Sequence, residues 1–254
     1  MKYFRQILLL ISFFHAFVVE ANDAATTTHR VLKIATQPSS PPFSMQGSYE
    51  GLSVDGLEVR MMYEICRRLN ALYEPVLVQW EGILPAVILG GSFDFSSTVM
   101  DITPERAKNV DFVAWFESSP AIAFPLGNEM ISKDQLKGLK VGAIVSSTFG
   151  QLALDCGAAE LVSYKSDSDG FLALSQGKID AMVVDKTMGL YTIAKHPHLN
   201  IKLFVDPSFA KNTKGLAFSK KQTHLRHEVE AALKAMKSDG TYQKIINSIL
   251  ASDK

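Results

Sequence analysis

The sequence predicts an α/β protein with mostly parallel sheets, and three observations support this prediction. Short apolar runs alternate with amphipathic stretches along most of the chain, as strands and helices do in parallel α/β folds. Two segments, "GGSFDFSSTV" at 90–99 and "QGKIDAMVVD" at 176–185, share a glycine turn, an acid and a buried strand, which two similar halves would explain. The composition is that of a globular protein, with 47% apolar and 20% charged residues. The formal net charge is zero, and without a basic excess we expect no nucleic-acid partner.

The N-terminal segment 1–21 has the order of a secretory signal peptide. Lys2 and Arg5 come first, an apolar run at 7–19 follows, and the final letters "VEA" offer small residues for cleavage. The apolar run is too short to span a membrane, and a buried helix is the alternative. Removal of the segment would leave 254 − 21 = 233 residues. We therefore expect the protein to be exported from the cytoplasm.

In the first half of the remaining chain, each predicted element rests on a local signal. Predicted strands lie at 31–35, 74–80 and 93–97, and predicted helices lie at 55–70, 83–89 and 104–108. The longest of these helices has an apolar stripe at four-residue spacing and Asp55 as its expected N-cap. The helix at 104–108 has Thr103 as its N-cap and Pro104 at its first position, which puts Arg106 in its first turn.

The second half continues the alternation of strands and helices. Predicted strands lie at 139–145, 161–164, 179–184 and 200–205, and predicted helices begin near 148 and span 169–176, 224–237 and 241–250. His224 and His227 lie three residues apart on one of these helices, where a weak metal site is the alternative to an exposed helix face. The sequence has no motif for a catalytic serine, a bound phosphate or a zinc site. We expect neither a metal nor a cofactor.

Polar side chains follow three of the predicted strands, where the next helices present free N–H groups. They are Thr98, Asp101 and Arg106; Ser146, Ser147 and Thr148; and Asp185. An arginine beside a helix N-terminus would hold a carboxylate through two hydrogen bonds, and Asp185 would hold an ammonium group. Together these residues would bind a zwitterion. Taken singly, each has a simpler explanation as a helix cap or a surface cation.

Several stretches of the chain resemble the family 3 extracellular solute-binding proteins, the polar amino-acid receptors of ABC importers. They include "WEGILPAV", "MDITPERAKNVDF", "LKGLKVG" and "GKIDAMVVD", in the order and spacing of that family, and are nearest its arginine and basic amino-acid subgroup. The resemblance implies the type II periplasmic-binding-protein fold, in which two lobes, each a mostly parallel sheet flanked by helices, are joined by a two-stranded hinge. It also implies that lobe 1 comprises 22–119 and 212–254, and that lobe 2 comprises 120–211.

The resemblance assigns roles to individual residues. In the family, the arginine of the "MDITPER" motif pairs with the ligand α-carboxylate, and here that arginine is Arg106. Thr148 matches the hydroxyl that meets the same carboxylate from lobe 2, and Asp185 matches the acid that takes the α-amino group. The other ligand-facing positions are Asp101, Thr98, Val99, Ser147, Trp80, Gln37 and Ser40. Two of them depart from the family, since Ser40 replaces a stacking aromatic residue and Gln37 stands where receptors for basic amino acids often carry an acid.

The predicted function is that of a binding protein without catalysis, which captures an amino acid between closing lobes and delivers it to an ABC permease in the inner membrane. We expect a periplasmic monomer. Asp101 and Asp185 set two carboxylates against one arginine, so the charge count favours a basic ligand such as arginine. One alternative is a secreted cyclohexadienyl-dehydratase-like lyase with Asp101 or Glu105 as its acid. Another is a free-standing module that senses a ligand.

The two cysteines are predicted to be free thiols, although export would permit a disulfide. Cys66 lies on the predicted helix at 55–70, and Cys156 lies near the end of the helix that begins near 148. The resemblance puts these helices in different lobes, and a disulfide needs Cα atoms within about 7 Å. A buried free cysteine behaves as a small apolar residue.

Overall fold

The structure is a computed structural model that describes residues 29–250, so the predicted signal peptide at 1–21 lies outside the described residues. Its strands are β1 (Arg30–Thr36), β2 (Ser39–Ser40), β3 (Ser44–Tyr49), β4 (Leu52–Asp55), β5 (Ala71–Leu77), β6 (Phe95–Asp101), β7 (Val110–Ser118), β8 (Pro120–Pro125), β9 (Lys140–Ile144), β10 (Glu160–Tyr164), β11 (Ala181–Asp185), β12 (Ile201–Phe204) and β13 (Asn212–Ser219). Its α-helices are α1 (Leu57–Arg68), α2 (Trp80–Leu89), α3 (Pro104–Ala107), α4 (Thr148–Asp155), α5 (Asp167–Ser175), α6 (Lys186–Lys195), α7 (Thr223–Ser238) and α8 (Thr241–Leu250).

Two five-stranded sheets organise these elements, in the orders β5-β1-β6-β13-β7 and β10-β9-β11-β8-β12. In each sheet one interior strand, β13 or β8, pairs antiparallel with both of its neighbours, and the other strands share one direction. The predicted α/β fold with mostly parallel sheets is confirmed. The small sheet β2-β3-β4, the strands β7, β8 and β13, and the helix α6 have no counterpart in the sequence prediction.

The chain passes from the first sheet to the second between β7 and β8, and it returns between β12 and β13. The two crossings lie side by side, because Ser118 at the end of β7 pairs with Asn212 at the start of β13. This pair of crossings matches the two-stranded hinge that the sequence predicts.

The first sheet is covered on both faces, because successive side chains of a strand point to opposite sides. Ile34 of β1 belongs to the large buried cluster that contains the α1 residues Met61 and Ile65. Its neighbour Ala35 belongs to a separate cluster with Ile83 of α2. Burying each such large aliphatic side chain contributes about 1.5–3 kcal/mol relative to leaving it in water. The helices therefore hold the sheet from both sides and fix where its strands end.

The N-cap predicted for α1 is wrong by one residue. Gly56, not Asp55, is the N-cap, and Asp55 instead ends β4 and accepts hydrogen bonds from Arg60. Gly56 has φ 130°, and a Cβ there would lie 2.4 Å from the carbonyl oxygen of Phe43. Only glycine fits this backbone conformation and this close approach.

Two predicted strand ends also differ from the structure. The strand predicted at 74–80 ends at Leu77, and Trp80 is the first residue of α2. The strand predicted at 93–97 instead runs from Phe95 to Asp101, because its last residues pair with β13. The length of β6 is therefore set by β13, a partner strand more than a hundred positions away in the sequence.

Candidate functional site

Nine of the ten predicted ligand residues line one cavity, where β6, β9 and β11 end. They are Gln37, Ser40, Trp80, Val99, Asp101, Arg106, Ser147, Thr148 and Asp185. Thr98 is the exception, because it is only 2% exposed, does not line the cavity, and shares a 2.9 Å hydrogen bond with the hydroxyl of Ser96. The position of the cavity agrees with the rule that open α/β sheets bind ligands beyond the carboxyl ends of their strands.

Arg106 presents a guanidinium to this cavity from the first turn of α3. The predicted cap is confirmed, since Thr103 Oγ1 accepts a hydrogen bond from the Arg106 backbone N–H at 3.2 Å. The guanidinium donates to two carbonyl oxygens, those of Asp101 at 2.9 Å and Ser146 at 3.2 Å. No carboxylate of the described residues lies within ion-pair distance of it. Burial lowers the pKa of Arg106, but an arginine remains charged in a protein, so the cavity contains a cation without an anionic partner.

Lys214 of β13 is the residue that the sequence analysis missed. Its side chain is 2% exposed, and its ammonium lies 2.6 Å from Asp101 Oδ1 and 2.9 Å from Asp185 Oδ2. Burial lowers the pKa of Lys214, but the charges of Asp185 and Asp101 and their hydrogen bonds raise it by more, so the net shift is upward. Lys214 is therefore a permanent cation that joins the first sheet to the second.

The predicted excess of negative charge in the cavity is wrong because of Lys214. Asp101 and Asp185 are balanced by Lys214 and Arg106, so these four groups carry no net charge. Buried carboxylates that already have a cationic partner do not require a basic ligand. The choice of ligand therefore depends on other groups of the cavity.

Asp101 is fully engaged by the protein itself. Oδ1 accepts the hydrogen bond from Lys214, and Oδ2 accepts one from Asn212 Nδ2 at 3.0 Å and another from the hydroxyl of Thr148. Asp101 does not cap α3, since the cap is the side chain of Thr103. The bond from Thr148 joins the N-terminus of α4 to the end of β6 across the cavity.

The two carboxylate oxygens of Asp185 have different partners. Oδ1 caps α6 by accepting from the backbone N–H groups of Thr187 and Met188, and it also accepts from Ser118 Oγ at 2.9 Å. Oδ2 is buried, and its partner among the described residues is the Lys214 ammonium at 2.9 Å. The simple explanation of Asp185 as a cap is therefore correct for one oxygen, and the other remains able to accept a hydrogen bond.

Most of the remaining predicted residues form the walls of the cavity. Gln37 Nε2 donates to Ser39 Oγ at 3.0 Å, and the ring of Trp80 lies 5.7 Å from the Arg106 guanidinium carbon. The Trp80 indole N–H also donates to the carbonyl oxygen of Val145 at 2.9 Å, across the cavity. The predicted hydroxyl cap at Ser147 is not formed, because Ser147 Oγ donates to the carbonyl oxygen of Ile144 at 2.6 Å.

Seven further residues line the cavity without having been predicted. They are Ile144, Phe149, Lys165, Ser166, Asp167, Met188 and Lys214. Burial raises the pKa of Asp167 to about 7, and the neighbouring charge of Asp185 adds to that effect while Lys214 opposes it. Asp167 follows the predicted strand at 161–164, so the rule that singled out the other strand ends would also have found it.

Within residues 29–250, no group of three or more histidine, cysteine or acidic side chains is placed to hold a metal ion. His227 Nε2 lies 2.7 Å from Arg226 Nη2, and His224 Nδ1 lies 3.4 Å from Glu228. The same range contains no helix that is both long and apolar enough to span a membrane.

Comparisons with known proteins relate the sequence and the fold to one family. The sequence pattern of the bacterial extracellular solute-binding proteins, family 3, matches residues 32–251. The putative ABC transporter arginine-binding protein 2 of Escherichia coli (strain K12) is 26% identical over 235 residues, which are 91% of this chain and 96% of that protein.

Two solved structures extend the likeness to the whole fold. An ancestral arginine-binding protein bound to glutamine is 32% identical, with a TM-score of 0.79 over 86% of this chain and 97% of its own. The ancestral amino acid-binding protein AncCDT-1, a precursor of cyclohexadienyl dehydratase, is 27% identical, with a TM-score of 0.78 over 87% of this chain and 95% of its own.

Proposed function

The chain belongs to the bacterial extracellular solute-binding proteins, family 3, and from this premise we propose that it captures an amino acid between two closing lobes and delivers it to the permease of an ABC importer. The proposed lobes are 22–119 with 212–254, and 120–211, which agree with the two crossings of the chain between the sheets. Segment 1–21 is the proposed signal peptide, and the mature protein is a periplasmic monomer.

This proposal rests on one observation, that the guanidinium of Arg106 has no carboxylate partner among the described residues. Its guanidinium lines the cavity, donates two hydrogen bonds to backbone carbonyls, and has further N–H donors without a carboxylate of the described residues to pair with. The N-terminus of α4, at Thr148, lies across the cavity and adds free backbone N–H groups. A ligand carboxylate would satisfy both. The buried Oδ2 of Asp185 would then accept a hydrogen bond from the α-amino group.

The ligand is proposed to be arginine or another basic or polar amino acid. The relatives support this class through the names they carry, because one is an arginine-binding protein of an ABC transporter and another was solved with glutamine bound. The charge balance of Asp101, Asp185, Lys214 and Arg106 does not by itself distinguish basic from neutral ligands.

The first prediction concerns Arg106. Arg106→Ala should abolish amino-acid binding while the fold is retained, with a loss of roughly 2–5 kcal/mol in binding free energy, as when one partner of a buried charge pair is removed. Isothermal titration calorimetry against arginine, lysine, glutamine and glutamate measures this loss. Arg67→Ala is the matched control, because Arg67 is an exposed arginine of α1 whose salt bridge is with Glu64. Equal affinity of wild type and Arg106→Ala would contradict the assignment.

A lyase is the second candidate, and one observation favours it. AncCDT-1, a precursor of cyclohexadienyl dehydratase, shares the fold, and burial raises the pKa of Asp167 to about 7, so part of the molecules have the protonated carboxyl group that a general acid needs near neutral pH. The acids named from the sequence fit less well, since Asp101 is held by three donors and Glu105 does not line the cavity. Turnover of arogenate or prephenate by wild type, and its loss in Arg106→Ala, would favour the lyase over the receptor.

A further inference from the structure

The cavity contains an acidic residue, Asp167, that forms no ion pair with Lys214 or Arg106. Asp167 is the first residue of α5, is 8% exposed, and lines the same cavity as Arg106 and Lys214. No other described residue donates a hydrogen bond to its carboxylate, since the hydroxyl of Ser166 pairs with Asp169 instead. Asp167 is thus a buried carboxyl group that lines the cavity in which the proposed ligand would bind.

The surrounding charges determine when Asp167 can ionise. Asp185 faces it from the end of β11 and opposes ionisation, and Lys214 faces it from β13 and favours ionisation. Across the cavity lie Asp101 and Arg106 of the first sheet region, while Lys165 on the rim is exposed to solvent. Lys214 and Arg106 are balanced by Asp101 and Asp185, so the exposed Lys165 is the one further charge of the cavity lining as long as Asp167 keeps its proton.

We propose that Asp167 is a specificity-determining residue of this cavity, which releases its proton when a cationic amino acid binds and then pairs with the charge of the ligand side chain. This inference rests on the proposed function. A zwitterion with a neutral side chain brings no net charge and leaves Asp167 protonated. Arginine or lysine brings one positive charge, and a buried charge without a partner is costly. Ionised Asp167 supplies that partner, and its place at the N-terminus of α5 favours the anion.

A coupling between ligand binding and proton release follows. The carboxyl group of Asp167 is protonated below its pKa of about 7, so a basic ligand must displace the proton in order to bind. The affinity for arginine should therefore rise about tenfold from pH 6 to pH 8, with about half a proton released per ligand at pH 7. Citrulline has the shape of arginine without its side-chain charge, and its affinity should not follow this dependence.

The experiment compares arginine with citrulline on the wild-type chain and on two variants. Calorimetry in buffers of different ionisation enthalpy counts the protons released, and the titrations are repeated at pH 6 and pH 8. Asp167→Asn should lower the affinity for arginine at least tenfold at pH 8, leave citrulline binding within about twofold, and abolish proton release. Asp169 is an exposed residue on the same helix turn, so Asp169→Asn should change neither the affinity for either ligand nor the number of protons released.

The outcomes separate this inference from the proposed function. If arginine binds but releases no proton, or if Asp167→Asn lowers arginine and citrulline binding equally, the inference is wrong and the receptor function is retained. If the wild-type chain binds neither arginine nor citrulline nor any other amino acid, the proposed function fails, and the inference fails with it. Asparagine has the shape of the protonated acid, so we expect the variant to fold, and circular dichroism checks this.

Discussion

At the scale of single residues, a buried glutamate behind the cavity couples the stability of the first sheet to pH. Glu58 of α1 is 1% exposed, and its Oε1 accepts hydrogen bonds of 2.6 Å from both Thr36 and Ser97. Burial raises the pKa of Glu58 from its ordinary value of 4.5 to about 7, although these hydrogen bonds lower it in part. The two hydroxyls belong to β1 and β6, the strands that lead to Gln37 and Asp101 in the cavity.

We predict that Glu58→Gln raises the free energy of unfolding, relative to wild type, by more at pH 8 than at pH 5. A carboxyl group whose pKa is higher in the folded state binds its proton more tightly there, so its stabilising contribution is complete below pH 4.5 and is lost as the pH rises through about 7. Glutamine retains an oxygen that accepts from both hydroxyls and has no charge to bury. The difference in unfolding free energy between variant and wild type should grow by about 2–3 kcal/mol between the two pH values.

Denaturant unfolding at pH 5 and pH 8 measures this difference. Asp167 titrates in both proteins and cancels from the comparison. Glu74→Gln on β5 is the control, because the side chain of Glu74 is exposed and pairs only with Lys33 at 3.6 Å among the described residues. A difference that is the same at both pH values would show that folding does not raise the pKa of Glu58.

The site residues differ in how far the sequence could predict them. Arg106 and Asp185 follow from local signals, since a Thr-Pro cap sets the first and a strand end the second. Lys214 could not be found in this way, because lysine in a strand is normally exposed and its partners lie on β6 and β11, far along the chain. The error in the charge count is therefore an error about tertiary pairing.

At the scale of elements, the strands and helices that carry their own pattern were predictable, whereas their ends were not always. The apolar stripe of α1 and the cap of α3 are local, and both helices are found where expected. The end of β6 depends on its pairing with β13, and the first turn of α1 depends on the close approach of Phe43 to Gly56. Propensity is a weak guide wherever a distant neighbour decides the backbone conformation.

The cysteines lie in α1 and at the end of α4, and both thiols are free in the structure, as predicted. Cys66 is buried within α1, where burial raises the pKa of its thiol to about 12, and Cys156 is half-buried at the end of α4. We predict that a thiol reagent modifies Cys156 of the native protein first and modifies Cys66 only on unfolding, because the thiolate is the reactive form.

The thiol count of the unfolded, unreduced protein should be two, and Cys156→Ser should remove the fast phase in the native protein. The variant Cys66→Ala should retain that fast phase. A monomeric protein with no titratable thiol would contradict both the free state of the cysteines and their assignment to separate lobes.

At the scale of the whole molecule, the two sheets are joined by the paired crossings, by the buried ion pair of Lys214 with Asp185 and by a few hydrogen bonds across the cavity. Trp80 donates to the carbonyl oxygen of Val145, Arg106 donates to that of Ser146, and Thr148 donates to Asp101. All three join the first sheet or the helices beside it to residues 145–148, which form the turn after β9 and the first residue of α4. A hydrogen bond contributes only about 0.5–1.5 kcal/mol to stability, and desolvation offsets much of the attraction within the buried pair of Lys214 and Asp185, so contacts of this number hold the lobes together weakly.

We therefore predict that the lobes separate readily without a ligand and that a bound amino acid closes them. A ligand whose carboxylate joins Arg106 to the N-terminus of α4 adds charge-assisted bonds across the same gap, and these are roughly twice as strong as neutral ones. Small-angle X-ray scattering should show a smaller radius of gyration with saturating arginine than without it.

Trp80→Phe removes one bond between the lobes and should increase the radius of gyration of the unliganded protein, while the ligand still produces contraction. In Arg106→Ala, arginine should leave the scattering unchanged. If calorimetry shows that the wild type binds arginine and the scattering is the same with and without it, closure of the lobes is not part of how this protein binds its ligand.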